Sequence, residues 1–281
     1  MTANRPEIGA RLDHLCLRSP DPKRLAGYFA RGFGMSATAM SNGDWRCHAP
    51  QRVLLITSGG PNDTAYSAFA FADEDALAQY RRRLTEHSVE LGPNLSPHYA
   101  ASAFSTRDPD GNVAVFGVRA PESGPENDKL PARLQHVVFR TSRLDEMVGF
   151  YERSLGFVVS DRVRDEAGAL RACFLRTDAE HHSLGIFLSP ETRLDHHSYE
   201  TRDWNCIRDW ADHVATRRIP LVWGVGRHGP GNNLFFMVKD PDDNLVELSA
   251  ELEVCGADRS EGLWPHDQHT LNLWGDAIMR S

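Results

Sequence analysis

A chain of 281 residues with 41% hydrophobic content is long enough to bury sizeable cores and has an ordinary globular composition, which excludes a disordered chain. Its net charge of −8 argues against nucleic acid as a main partner, because phosphate binding needs a basic surface. No apolar run is long enough to span a bilayer, and residues 1–10 lack the apolar core of a signal peptide. The five cysteines include no Cys-x-x-Cys pair, so the expectation is reduced thiols in a cytoplasmic protein.

In chain order, Leu12-Asp13-His14-Leu15-Cys16-Leu17-Arg18 is a short β-type run. A helix is predicted near Pro22 to Arg31, closed by Gly32-Phe33-Gly34. Asp108-Pro109-Asp110-Gly111-Asn112 is turn chemistry, and Val113 to Phe116 reads as the strand after it. Pro121 to Pro131, rich in Pro, Glu, Gly and Asp, reads as a linker. The pattern then restarts. Leu134-Gln135-His136 opens a second β-type run, with a helix near Asp145 to Ser154 that ends at Leu155-Gly156-Phe157. Leu194-Asp195-His196-His197 restarts it again, and a helix near Trp204 to Arg217 carries Ile207, Trp210, Ala211 and Val214 at helical spacing. Strands follow at Leu221 to Val225 and Asn233 to Lys239. Asp240-Pro241-Asp242-Asp243-Asn244 repeats the earlier turn and leads into a strand at Leu245.

The chain is therefore an internal duplication, and the unit of strand, helix and two or three strands is used four times. The expected organisation is α+β: four βαβββ modules paired into two similar domains, residues 1–122 and 132–255, with a tail at 256–281. The tail shows no clear strand; its Trp264, Leu271, Leu273 and Trp274 are expected to pack on a surface or a partner.

Alternation from Leu245 to Ser249 puts Val246 and Leu248 on one face and Glu247 on the other. A lone carboxylate in an apolar strand is costly to bury unless it is paired or bound to a cation. His136 and His196 stand in matching contexts. Two histidines and one carboxylate with open positions form the facial triad of non-haem iron(II) oxygenases.

The four modules, the Leu-x-His openings and the Asp-Pro-Asp-x-Asn-x-x-Glu ending resemble the vicinal oxygen chelate superfamily, the glyoxalase/bleomycin resistance/extradiol dioxygenase fold. The two-domain arrangement is similar to the type I extradiol ring-cleaving dioxygenases. The resemblance implies His136, His196 and Glu247 as ligands of Fe(II), with Mn(II) as an alternative, in the second half only. In the first half Val115 stands where Glu247 does, and His14 is expected to be structural. The choice of His196 over His197 rests on strand register. His182 matches the acid–base histidine of that family and His228 its second active-site histidine; their neighbours offer the alternatives that His181 faces the site and that His228 is an exposed loop residue. Met237 stands where the family carries a substrate-binding tyrosine and cannot donate a hydrogen bond, so Tyr199 is one candidate to take its place. Trp223 and Asn232 complete the expected substrate contacts, with Phe187 and Phe235 as further apolar walls.

The activity implied is opening of a catechol-type ring with O2 as co-substrate, in a homo-oligomer that binds neither nucleic acid nor membrane. A metal-dependent glyoxalase-like isomerase or lyase, and a metal-free ligand-binding protein, are the competing readings.

Overall fold

Each helix begins where an aspartate or turn residue stops the preceding strand. A computed structural model describes residues 7–119 and 130–280. The first unit is β1 (Arg11–Ser19), α1 (Pro22–Gly32), β2 (Ser36–Ala39), β3 (Trp45–Ala49) and β4 (Arg52–Ser58). The second is β5 (Thr64–Phe71), α2 (Glu74–Glu86), β6 (Phe104–Arg107) and β7 (Val113–Val118). The third is β8 (Arg133–Thr141), α3 (Leu144–Gly149) running into a wider π-turn at Phe150–Leu155, β9 (Val158–Arg164), β10 (Leu170–Arg176) and β11 (Leu184–Leu188). The fourth is β12 (Arg193–Thr201), α4 (Trp204–Thr216), β13 (Leu221–Arg227), β14 (Leu234–Lys239) and β15 (Leu245–Ala250).

Asp21, Asp73 and Asp203 cap α1, α2 and α4 by accepting from the backbone N–H three residues on. The capping side chain satisfies an amide that the helix itself leaves free.

The strands form two sheets, ordered β2-β3-β4-β1-β5-β7-β6 and β13-β14-β15-β12-β8-β11-β10-β9-β16. The last strand, β16 (Gly262–Pro265), is a correction: the tail does contain a strand, which pairs in parallel with β9 and is followed by the short α5 (Gln268–Leu271). Four residues with one proline carry too little alternation to be read as a strand. They are held there by Trp264, whose Nε1–H donates to Asp161 at 2.8 Å. The expected linker, residues 121–131, lies outside the described residues apart from Leu130 and Pro131.

One apolar core runs through both sheets, with Phe33 of α1 against Tyr199 and Trp210, and Phe69 against Phe157. The two Asp-Pro-Asp turns are built alike. Asp240 accepts from the N–H groups of Asp242 and Asn244 and from Asn244 Nδ2, and Asp108 accepts from the same three positions of its own turn. Gly111 and Asp243 occupy the same left-handed position at φ 91 and 64. Each turn is seated on the opposite half. Asp242 accepts from Ser19 at 2.5 Å and Arg24 at 2.6 Å, while Asp108 accepts from Tyr151 at 2.9 Å and Asp110 from Arg143 at 2.9 Å.

Candidate metal centre

Three adjacent strands at the middle of the second sheet carry the candidate ligands. β12 lies between β8 and β15, and Ser198 faces His136 on one side and Glu247 on the other. His196 lies two residues along β12, on the same face by strand alternation. Ser198 is small enough to leave the space between the three side chains open.

His136 Nε2 stands 3.3 Å from His196 Nε2 and 3.9 Å from Glu247 Oε1, and His196 Nε2 is 3.5 Å from Glu247 Oε2. Donors about 2.1 Å from one metal ion and at right angles to each other stand ~3 Å apart, so this triangle is a slightly open version of one face of a coordination shell. Among the described residues, this is the group of His, Cys, Asp and Glu side chains placed to hold a metal ion.

The donor set fits a divalent cation. All three residues are buried, and Glu247 Oε2 has no hydrogen-bond partner. Its other oxygen accepts only long bonds, from Ser198 and Asn233 at 3.3 Å each. Burial, and then the neighbouring histidines, hold the His136 ring well below the ordinary histidine range, so it is neutral and free to ligate.

Both ligand histidines are buttressed by the residue before them. His196 Nδ1–H donates to Asp195 at 2.6 Å, and His136 Nδ1–H to Gln135 at 2.5 Å. That orients both rings and brings their Nε2 atoms to one point, 3.3 Å apart. The backbone reason is a repeated bulge. Asp195 and Gln135 are each the extra residue where the pairing register shifts, so each side chain stays beside the ring that follows it. Asp13 before His14 repeats the device, at 2.7 Å. In the remaining unit the shift falls at Ala65, and Tyr66 takes the place of the histidine. The first half thus offers His14, Tyr66 and Val115 at the three positions, and His14 is satisfied by Asp13 and by Ser96 at 2.8 Å. Both of its ring nitrogens are thus hydrogen-bonded.

Asp195 also holds Arg140, at 2.6 Å, and Arg280, at 2.9 Å. Burial alone would raise its carboxyl; Arg280 and the His196 bond outweigh that and hold it well below the ordinary range. An Asp195→Asn substitution exchanges a charge-assisted acceptor for a weaker neutral one. It is expected to cut metal affinity by about 10- to 100-fold with the fold intact. Chelator competition measures this, and unchanged affinity would remove Asp195 from the orienting role.

The pocket above the triangle is lined by His182 and His228, with Val138, Phe174, Phe187, Trp223, Met237, Leu271 and Arg280 as walls. The His182 ring lies 4.4 Å from that of His136, and burial, reinforced by His181 and His228, holds it well below the ordinary histidine range. His181 does not take its place; it is turned to Asp161 at 3.0 Å. His228 Nε2 is 3.7 Å from Glu247 Oε2, while its Nδ1–H donates to the Leu271 carbonyl and its ring stacks on Phe235 at 3.8 Å. Phe235 therefore backs a histidine and does not line the pocket.

His197 is buried on the other face of β12, beside Phe29, and burial holds it at about 3. Two expected contacts are corrected. Tyr199 shares the face of His197, so it packs on Phe33 in the core and cannot reach the pocket. The alternation that selects His196 over His197 excludes Tyr199 as well. Asn232 is exposed on a turn at φ 53; its neighbour Asn233 is the buried residue that reaches Glu247. Asp195, Gln135 and Arg280 were missed. The first two had a signal in the polar residue repeated before each histidine; Arg280 had none.

Residues 11–116 and 133–248 match the family described as the Glyoxalase/Bleomycin resistance protein/Dioxygenase superfamily. Metapyrocatechase 2 of Cupriavidus necator is 26% identical, across 95% of this chain and 89% of that one. Biphenyl-2,3-diol 1,2-dioxygenase of Paraburkholderia xenovorans (strain LB400) is 24% identical, across 88% and 87%. Among solved structures, the anaerobic 3,4-dihydroxyphenylacetate complex of homoprotocatechuate 2,3-dioxygenase from Brevibacterium fuscum superposes with a TM-score of 0.82 at 18% identity, covering 99% of this chain and 92% of that one. With both halves matched and the duplicated sheets in place, the chain belongs to the glyoxalase/bleomycin resistance protein/dioxygenase superfamily.

Proposed function

We propose that this protein is an extradiol-type dioxygenase that opens the ring of a catechol-type aromatic diol with O2, using Fe(II), or alternatively Mn(II), held by His136, His196 and Glu247. The observation that carries the reading is a one-faced set of two histidines and one carboxylate beneath an aromatic-walled pocket that holds two further histidines. When bound, the metal supplies a chelation point for two adjacent oxygens and an electron path between diol and O2. A glyoxalase-like isomerase would call for a second carboxylate, and Glu247 is the one carboxylate lining this pocket among the described residues.

The chain's own residues do the rest. His182 Nδ1 is 3.0 Å from His181 Nδ1, which leaves Nε2 as the atom for proton exchange with the diol. The ring is neutral, so it takes a proton first and returns it later. His228, with Nδ1–H committed to Leu271, presents Nε2 as an acceptor that orients a substrate hydroxyl. Phe174, Phe187 and Trp223 exclude water around an aromatic body. Met237 fills space without offering a hydrogen bond, which favours a ring with no polar substituent at that wall.

Anaerobic reconstitution with ferrous iron, followed by oxygen electrode readings on a panel of catechols, is the test. One O2 per diol and a yellow ring-fission product are expected. Iron-loaded protein that consumes no oxygen with any diol would overturn the reading. All five cysteines are buried and unpaired, which supports a cytoplasmic setting, and among the described residues no helix is long and apolar enough to cross a membrane. A homo-oligomer belongs to the same proposal.

A further inference from the structure

The pocket over the ligand triangle has a free volume of only ≈ 20 Å³. An apolar cavity that takes up benzene measures about 150 Å³. A ring cannot reach the three ligands until something leaves. Most of the walls belong to strands of the sheet and cannot leave. Arg280 is different, because it reaches in on a long side chain from a stretch with no helix or strand.

The Arg280 side chain is 2% exposed. Its guanidinium lies 5.4 Å from the Phe187 ring centre and 5.1 Å from that of Trp223. It donates twice to Asp195, at 3.0 Å and 2.9 Å. A planar cation against two aromatic rings occupies the slot that a planar aromatic ring would take. Its departure would not strand Asp195, which keeps Arg140 at 2.6 Å and the His196 ring at 2.6 Å. Removing one partner of a buried ion pair is costly when it leaves a bare charge, and here it does not. The Arg280 guanidinium also donates to the Ile278 carbonyl, and the backbone before that is fastened apart from it, through Trp223 Nε1–H to the Asp276 carbonyl and the Leu273 N–H to Arg227. The side chain can therefore swing out while the segment stays in place.

We propose that Arg280 is a specificity-determining gate: its guanidinium fills the slot against Phe187 and Trp223, and a substrate ring enters by displacing it from Asp195. The proposal rests on the diol-binding reading for the identity of the ring, but not for the displacement. Every ring that binds must first break the ion pair, so affinity is lowered by the fraction of time the gate is shut. Rings too weakly held to compete are rejected.

The test is calorimetric titration of the metal-free full chain with phenol, a ring that cannot chelate. Arg280→Ala is expected to bind phenol at least tenfold more tightly than the unaltered chain. Arg280→Lys, which keeps the charge but loses the two-pronged grip, should fall between them. Equal affinities in all three overturn the gate. Weaker binding in R280A also overturns it and makes Arg280 an anchor. Far-UV circular dichroism checks each variant's fold; should R280A not fold, R280K decides alone, tighter binding supporting the gate and equal or weaker binding overturning it. A parallel titration of the zinc-loaded, anaerobic protein compares catechol with phenol. Catechol binding no tighter than phenol there counts against the diol reading and leaves the gate to the phenol series.

Discussion

Glu247→Gln should abolish metal binding and, at the same time, raise the melting temperature of the metal-free protein. The first effect follows from charge. Neither His136 nor His196 brings a negative charge, so Glu247 supplies the only one in the triangle, and a glutamine binds a divalent cation far more weakly. We expect metal affinity to fall by at least ~100-fold and oxygen uptake to be lost with it. The second effect follows from burial. Glu247 is fully enclosed, one oxygen has no partner, and the other accepts two bonds at the long limit. An incompletely paired buried charge costs on the order of 1–3 kcal/mol or more, and glutamine keeps the shape while removing the charge. Metal analysis and paired melts with and without chelator check both effects. A carboxylate kept only for structure would show the opposite sign in the metal-free melt, and that result would remove Glu247 from the ligand set.

His182→Asn should leave metal content untouched and lower kcat by about 10²- to 10⁴-fold, the usual contribution of a positioned acid–base group. His182 approaches the ligand His136 at 4.4 Å between ring centres, yet it is not part of the ligand triangle. Its partner is His181, which is tied in turn to Asp161 at 3.0 Å. Asparagine fits the space and offers a polar atom but cannot take a proton at neutral pH. KM for the diol should change little, because the walls stay in place. Steady-state oxygen uptake beside a metal assay separates the outcomes. Metal loss would make His182 a buttress of the ligand shell, and an unchanged kcat would move the proton transfer to His228.

What could be read from residues alone was whatever repeats at short range. The Leu-x-His openings and the Asp-Pro-Asp turns give four units, two halves and the three candidate ligands, because strand alternation converts a local pattern into a shared face. His196 over His197 came from that rule; in the structure His196 stands with His136 and Glu247, and His197 is buried beside Phe29. The same rule, carried two residues further, puts Tyr199 in the core rather than the pocket. Asn232 failed differently. The turn before β14 puts a left-handed residue next to the buried one, and no periodicity tells which of two adjacent asparagines turns inward. Arg280 was not legible at all. Its position depends on β16 pairing with β9 and on a chain reversal that carries residues 268–280 back over the pocket, and nothing near Arg280 in sequence marks that contact.

The reciprocal seating of the two turns bears on how the duplicated halves have drifted apart. Among the described residues the first copy presents no such triangle, yet it carries Asp108-Pro109-Asp110-Gly111-Asn112 in full, and those groups hold Tyr151 and Arg143 of the other copy. The motif thus serves docking in both copies, and the residue three places beyond its asparagine, Val115 in one and Glu247 in the other, is one of the positions that tell them apart.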